Sequence, residues 1–146
     1  MGTYKKSACR KKFLKFMELA VKIFDCKFFL ATGSKKEEQL ILKKILDSDY
    51  KSRCVSIDKL ELKETLPVIK NCHIAICNDS SFSHLSAALN IPTIVLITDT
   101  PLLYGSYSPR MYPIIPDGET TVEHNTLGKE RINPEKIFNK FKNLLN

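Results

Sequence analysis

Short apolar runs alternate with longer segments of helical periodicity along this chain, and this alternation constrains its fold more than any other feature. The apolar runs at 26–31, 53–57, 73–77 and 93–97 have the length and composition of buried strands. Strands that alternate with helices predict βαβ units and a parallel sheet. We therefore predict an α/β fold, with a Rossmann-like parallel sheet and helices on both of its faces.

The segments of helical spacing complete this pattern. They cover residues 11–24, 35–46, 61–71, 82–89 and 134–145. Pro67 lies inside the third segment and predicts an irregular helix there. The segment 98–128 is rich in proline and glycine and predicts a long loop, with a short strand near Ile114. Because we find no repeat, low-complexity tract or linker, the 146 residues are expected to form a single domain.

The chain carries a formal net charge of +7, from 23 Lys and Arg against 16 Asp and Glu. A basic surface attracts phosphate-bearing partners, which include nucleotides, nucleic acids and anionic lipid headgroups. The basic runs lack interleaved aromatic residues and known nucleic-acid-binding motifs, so nucleic acid is not expected as a partner. Lysines on solvated helix faces explain the charge equally well.

The cysteines and histidines argue against a disulfide scaffold and against a metal site. There are five cysteines, an odd number, and none forms a C-x-x-C pair, which is typical of a protein of the reducing cytosol. The three histidines are far apart, and none has metal-ligand spacing, so no metal is predicted. No apolar run approaches the roughly 20 residues of a membrane span, and no signal peptide is recognisable. We predict a cytoplasmic location.

Ligands of open α/β sheets bind beyond the carboxyl ends of the strands. In this sequence that rule selects the loops at 32–36, 78–84 and 98–108. The loop at 78–84, N-D-S-S-F-S-H, leaves one predicted strand and enters a predicted helix. Backbone N–H groups and the positive end of the dipole at a helix N-terminus suit a phosphate. This loop is therefore the strongest candidate site.

Two interpretations of the loop remain open from spacing alone. In the functional one, Asp79 orients the turn or a ligand hydroxyl, and His84 reaches a phosphate. In the structural one, Asp79 or Ser80 simply caps the helix, and His84 packs as a partly buried residue. A Ser-His-Asp hydrolase triad is not supported, because the residues crowd together and no G-x-S-x-G is present. The chain also lacks the G-x-G-x-x-G fingerprint and the P-loop motif.

The segment from Asn78 to Leu96, N-D-S-S-F-S-H-L-S-A-A-L-N-I-P-T-I-V-L, resembles the heptosyltransferase family, glycosyltransferase family 9. That family carries D-[ST]-G-x-x-H-L-A-A-A-L-G-x-P-T-x-x-L-F-G in its donor-binding half. Weaker similarities cover residues 10–20, 29–38 and 98–109 and the last helix. They occur in the family's order and extend the resemblance over nearly the whole chain.

The resemblance implies one half of a GT-B glycosyltransferase, which has two Rossmann-like domains with the site between them. It implies a nucleotide-diphosphate sugar as the donor substrate, ADP-linked, and no cofactor. The residues that would meet the diphosphate and the sugar are Asp79, Ser80, Ser81 and His84. Glu37, or Glu38, after Gly33 would hold the ribose hydroxyls. Lys11 or Lys12 would face a phosphate. The alternative for the glutamate is a partner of the helix dipole, and for the lysines a solvated helix face.

Departures from the family pattern qualify this implication. Ser81 stands where the family has glycine, and Ile97 and Thr98 replace the usual F-G. The N-terminal acceptor domain, which would hold the catalytic base, and the first strand of the donor domain are expected to be missing. The catalytic residue is therefore unknown, and a separate N-terminal half or a second copy of the chain is the expected partner.

The function predicted from the resemblance is transfer of a sugar from a nucleotide-diphosphate donor to a lipopolysaccharide-type acceptor. The basic surface fits peripheral contact with an anionic membrane, on the inner face where such acceptors are built. The alternative is a non-catalytic, truncated or split remnant that binds a nucleotide sugar weakly or not at all.

Overall fold

The computed structural model describes residues 3–146 of the chain, with side chains from residue 11 onward. The chain divides into two compact units, unit 1 (Met1–Thr65) and unit 2 (Leu66–Asn146). Each unit is an α/β arrangement of short strands and helices. The expectation of a single domain stays a prediction.

The helices and strands follow the order predicted from the sequence. They are α1 (Thr3–Val21), β1 (Phe28–Leu30), α2 (Lys36–Leu46), β2 (Cys54–Ser56), α3 (Leu62–Lys70), β3 (Ala75–Asn78), α4 (Ser81–Ala88), β4 (Thr93–Leu96), β5 (Met111–Ile114) and α5 (Pro134–Leu145). Short 3-10 turns lie at Lys51–Arg53, Leu102–Gly105 and Lys129–Arg131. The predicted α/β class and the short strand near Ile114 are confirmed. Helix α3 runs through Pro67, where the sequence predicted an irregular helix.

Every strand pairing is parallel, as the βαβ pattern predicts. In unit 1, β1 pairs with β2, and Phe28 lies opposite Cys54. In unit 2 the order is β3-β4-β5, and Asn78 lies opposite Leu96 at the carboxyl ends of β3 and β4. The strands of residues 3–146 form two sheets, where the sequence predicted one. The alternation of elements determines the direction of the strands, but it does not specify which strands are neighbours.

Unit 1 is built around the contact between α1 and α2. Phe16, Met17 and Ala20 of α1 are buried together with Leu42 and Ile45 of α2. These positions repeat at three- and four-residue intervals, so each helix presents one apolar face. The β1-α2-β2 segment positions the turn at 31–35 at the carboxyl end of β1.

Unit 2 is organised around β4, which is buried at every position from Thr93 to Leu96. A strand buried at successive positions has both of its faces covered. Helices α4 and α5 both contact this strand. Pro113 lies in β5, whose ladder to β4 is its one strand pairing among residues 3–146. Proline is tolerated in such an edge strand, because the missing N–H removes no second ladder.

The described cysteines, Cys26, Cys54, Cys72 and Cys77, are free thiols. Burial raises the pKa of all of them, and that of Cys77 to about 12. These thiols are therefore neutral at neutral pH and behave as small hydrophobic groups, in agreement with their positions in apolar runs.

Candidate functional site

The strongest candidate site begins where β3 ends and α4 starts. Ser80 is the N-cap of α4. Its backbone N–H donates to Ser83 Oγ over 3.3 Å, and Ser83 Oγ donates back to the Ser80 carbonyl over 2.7 Å. Ser83 is fully buried, whereas Ser80 and Ser81 are exposed. The capping role that the sequence left open between Asp79 and Ser80 therefore belongs to Ser80.

Asp79 does not cap α4, and its carboxylate instead contacts the side chains of two other residues. Thr100 Oγ1 donates to Asp79 Oδ2 over 2.7 Å. On the other side, His84 Nε2 lies 3.5 Å from Asp79 Oδ1. The Asp79 side chain keeps only 17% of its surface exposed. Its carboxylate is thus held by Thr100 and faces His84, and the roles that the sequence predicted for it, orienting the turn or a ligand hydroxyl, stay predictions.

His84 contacts a partner that the sequence analysis did not name. Its Nδ1 lies 2.7 Å from the Tyr107 hydroxyl. The two rings also stack, with centroids 5.6 Å apart and an interplanar angle of 18°. The His84 side chain is 42% exposed and stacks on Tyr107, so both interpretations of this residue, a phosphate contact and a partly buried packing residue, stay open. We call Asp79, His84, Thr100 and Tyr107 together the Asp79 cluster.

The Asp79 cluster joins two of the three loops that the carboxyl-end rule selected. Asp79 and His84 come from the loop at 78–84, and Thr100 and Tyr107 come from the loop at 98–108. The sequence could have indicated Thr100 and Tyr107 as candidate site residues only because they are polar side chains in one of these loops. Their pairing with Asp79 and His84, 21 and 23 residues away, has no local sequence pattern.

Ser81, which replaces the family's glycine, is the first residue of α4. The non-glycine residues with positive φ in the described chain are Asn90, Asn125 and Leu127. Ser81 has no positive φ, so serine adopts this backbone without strain. The replacement of glycine by Ser81 therefore adds a side chain at the first turn of α4 without straining the backbone.

In unit 1 the Gly33 turn is held by Gln39. Gln39 Nε2 donates to the Gly33 carbonyl over 2.9 Å and to Thr32 Oγ1 over 3.1 Å. The Glu38 carboxylate lies beside Gly33, close to the point that a Cβ on residue 33 would occupy. Glu37 is exposed in the first turn of α2. Of the two glutamates considered for the ribose, Glu38 is the one that contacts the Gly33 turn.

Asp58 follows β2 in the same way that the Gly33 turn follows β1. Asp58 was not among the residues predicted from the sequence. A hydrogen bond from Ser56 Oγ, supported by one from Gln39, lowers the pKa of the Asp58 carboxyl. Gln39 therefore interacts with groups that follow both strands of this unit.

Lys11 and Lys12 lie on α1 of unit 1. Lys11 lines an open groove together with Leu14, Lys15, Glu18, Ser48, Asp49 and Tyr50. Lys12 is half-buried. The groove mixes lysines and acids, and Lys15 is already paired with Glu18 over 3.1 Å. The roles of Lys11 and Lys12 at a phosphate stay predictions.

Among the side chains that the structure describes, from residue 11 onward, no three His, Cys, Asp or Glu gather as ligands for a metal ion. None of the helices within residues 3–146 combines the length and the apolar composition needed to cross a membrane.

The chain matches the family model described as glycosyltransferase family 9 (heptosyltransferase) over residues 8–132. It is 32% identical over 93 residues to a protein of Haemophilus influenzae named lipooligosaccharide heptosyltransferase 2. That similarity covers 62% of this chain and 25% of the relative, so the chain spans about a quarter of the relative's length. No solved structure matches the chain.

Proposed function

This chain belongs to glycosyltransferase family 9, the heptosyltransferase family, and we propose on that basis that it forms the donor-binding part of a glycosyltransferase. The donor in this proposal is a nucleotide-diphosphate sugar, ADP-linked, and the acceptor is of the lipopolysaccharide type. The name of the Haemophilus influenzae relative supports this choice of acceptor. The observation that carries the proposal is the exposed N-terminus of α4 with the Asp79 cluster beside it.

The diphosphate is proposed to bind at the first turn of α4. The first N–H groups of a helix have no intrahelical partner, and the dipole adds about half a positive charge at this end. Ser80 and Ser81 are exposed there, so a phosphate can approach their backbone. The ring nitrogen of His84 that can donate to a phosphate is Nε2, which lies 3.5 Å from Asp79 Oδ1, because Nδ1 contacts the Tyr107 hydroxyl. These groups together favour a bound anion.

Sugar transfer in this proposal breaks the bond between the anomeric carbon and the diphosphate and forms a bond from that carbon to an acceptor oxygen. Negative charge develops on the departing diphosphate, where fixed N–H groups and His84 stabilise it. A base must take the proton of the acceptor hydroxyl. We propose that this base lies in the N-terminal half of the GT-B arrangement that the family resemblance implies.

For unit 1 by itself, we propose that the Gly33 turn binds the ribose of a nucleotide. Glu38 takes the role of ribose ligand in place of Glu37, because its carboxylate lies against Gly33. This role rests on the resemblance to the family, in which an acidic residue that follows the Gly turn holds the ribose hydroxyls. Lys11 and Lys12 are proposed to add positive charge near the phosphates.

Partner and location follow as further parts of the proposal. The partner is a separate N-terminal half or a second copy of the chain. The location is the cytoplasm, with peripheral contact to the inner face of the membrane. The net charge of +7 supports attraction to an anionic surface. Sedimentation with anionic vesicles, and its absence with neutral ones, is the corresponding test.

The second candidate is a remnant that binds the donor weakly or not at all. Ser81 in place of glycine favours it, because its side chain occupies space at the first turn of α4.

Calorimetric titration of the purified chain with ADP separates the two candidates. We expect ADP to bind and His84→Ala to weaken binding about tenfold, the loss of one charge-assisted hydrogen bond. His73→Ala and His124→Ala are matched controls, because both side chains are exposed outside the Asp79 cluster. A folded chain that binds neither ADP nor an ADP-sugar would support the remnant and contradict the donor-site proposal.

A further inference from the structure

We propose that Tyr107 is a positioning residue that fixes the tautomer and the ring plane of His84. Through this contact Tyr107 keeps the N–H of His84 on Nε2, the nitrogen on the Asp79 side. Its consequence for phosphate binding rests on the function proposed above. The fixation of the ring itself rests only on the geometry of the Asp79 cluster.

The tautomer follows from the chemistry of the two partners of His84. A neutral imidazole has one N–H, and the other nitrogen accepts. An ionised carboxylate only accepts, and Asp79 Oδ1 lies 3.5 Å from Nε2. The proton of neutral His84 therefore belongs on Nε2, and Nδ1 carries the lone pair. The Tyr107 hydroxyl, 2.7 Å from Nδ1, then donates to it.

The plane of the ring is fixed by a second contact with the same residue. The His84 and Tyr107 rings lie face to face, with an angle of 18° between their planes. A half-exposed histidine otherwise samples several rotamers. The Tyr107 hydroxyl at one edge of the His84 ring and the Tyr107 ring against its face together restrict His84 to one orientation. Less conformational entropy is therefore lost when a ligand binds.

Tyr107 can act in this way only if its own loop is held. It is 55% exposed, so burial does not hold it. The preceding 3-10 turn does: Ser106 Oγ donates to the Leu102 carbonyl over 3.0 Å. Gly105 in this turn is buried so close to β4 that an added Cβ would lie 2.5 Å from Ile97 Cδ1. The turn therefore packs against the sheet on which α4, the helix of His84, also packs.

Nitrogen-15 spectra of the histidine rings test the fixation directly, in the full chain at pH 8, above the ordinary histidine pKa of about 6.5. The His84 signals are assigned with His84→Ala. We expect wild-type His84 to be protonated on Nε2, with an Nδ1 shift that indicates an accepted hydrogen bond. Tyr107→Phe keeps the stacked ring but should move the Nδ1 shift to that of a nitrogen without a donor. Tyr104→Phe, a nearby exposed tyrosine, should leave it unchanged.

ADP titration of the same variants tests the consequence. Tyr107→Phe should weaken ADP binding by about three- to tenfold, the range of one neutral hydrogen bond, and Tyr104→Phe should not. An unchanged Nδ1 shift in Tyr107→Phe overturns the inference whatever the ADP result. A moved shift with unchanged ADP affinity overturns the link to phosphate binding. If wild type binds no ADP, the proposed function fails, and the shift still decides whether Tyr107 fixes His84.

Discussion

Thr100 Oγ1 donates a 2.7 Å hydrogen bond to Asp79 Oδ2, although 21 residues separate them in the chain. The parallel pairing of β3 and β4 explains this contact, because it brings Asn78 opposite Leu96 and so aligns the segments that follow the two strands. Thr100 holds one carboxylate oxygen while the other faces His84. The orientation of Asp79 is thus set by the loop after β4 as well as by its own turn.

Thr100→Val should show whether the hydrogen bond that orients Asp79 affects ADP binding as well as the stability of the chain. Valine has nearly the shape of threonine but no hydroxyl, so Asp79 loses one partner. We expect about 1 kcal/mol less stability against urea and an ADP affinity lowered by about three- to tenfold. Thr126→Val is the matched control, because the Thr126 hydroxyl donates to the Glu123 carbonyl outside the cluster. Equal ADP affinities of Thr100→Val and wild type would show that Thr100 does not serve the site.

The sequence predicted the elements of this fold because each is specified locally. Asn133 with Pro134 marks the start of α5, and the helix covers Pro134–Leu145 as predicted. β5 gave a weaker signal because Pro113 interrupts its strand character. The division of the strands into two sheets could not be predicted, because periodicity contains no information on which strands are neighbours.

The candidate site could be predicted only in part, because the sequence does not specify which strands are neighbours. The carboxyl-end rule selected the loops that hold Asp79, His84, Thr100 and Tyr107. It did not pair them, because the pairing depends on the register of β3 against β4. Ser83 was missed as the capping partner of Ser80, although the spacing S-x-x-S resembles a capping box.

Glu38→Gln and Glu37→Gln should differ in their effect on nucleotide binding. Each replacement is isosteric and removes one negative charge from the first turn of α2, so the loss of helix stabilisation, about 0.3–1 kcal/mol, is similar. The Glu38 carboxylate lies beside Gly33. We expect Glu38→Gln to weaken ADP several-fold and to leave pyrophosphate unchanged, because pyrophosphate has no ribose. A larger effect of Glu37→Gln on ADP in the calorimeter would assign the ribose to Glu37 instead.

Ser81→Gly should tighten ADP binding at some cost in stability. Ser81 has no positive φ, so glycine relieves no strain and costs up to about 0.5–1 kcal/mol in the helix. Removal of the side chain lets a phosphate approach the first N–H groups of α4 more closely. Ser81→Ala retains Cβ and serves as the control for the hydroxyl alone. Weaker ADP binding by both variants would instead identify the Ser81 hydroxyl as a ligand of the phosphate.

At the C-terminus of α4, Asn90 has a positive φ and stands where the family motif has glycine. Asn90 has φ 67° and lies just beyond the C-cap Leu89. Its N–H donates to the Ala87 carbonyl, and the next N–H, of Ile91, donates to the Ser86 carbonyl, each over 3.0 Å. This is the Schellman arrangement, in which a left-handed residue ends the helix. Asparagine is among the few other residues that adopt it readily.

Asn90→Ala should therefore destabilise the chain without changing its affinity for ADP. Alanine is strained by about 1–2 kcal/mol at positive φ, and the variant also loses the hydrogen bond from Arg110 Nε to Asn90 Oδ1. Asn90→Gly loses the same hydrogen bond, but glycine adopts the positive φ without strain. The difference between the unfolding free energies of the two variants in urea therefore measures the backbone strain of alanine. ADP affinity should stay at the wild-type value in both, because the phosphates are proposed to bind at the opposite end of α4. A parallel loss of affinity would mean that the whole helix, and not its first turn, determines binding.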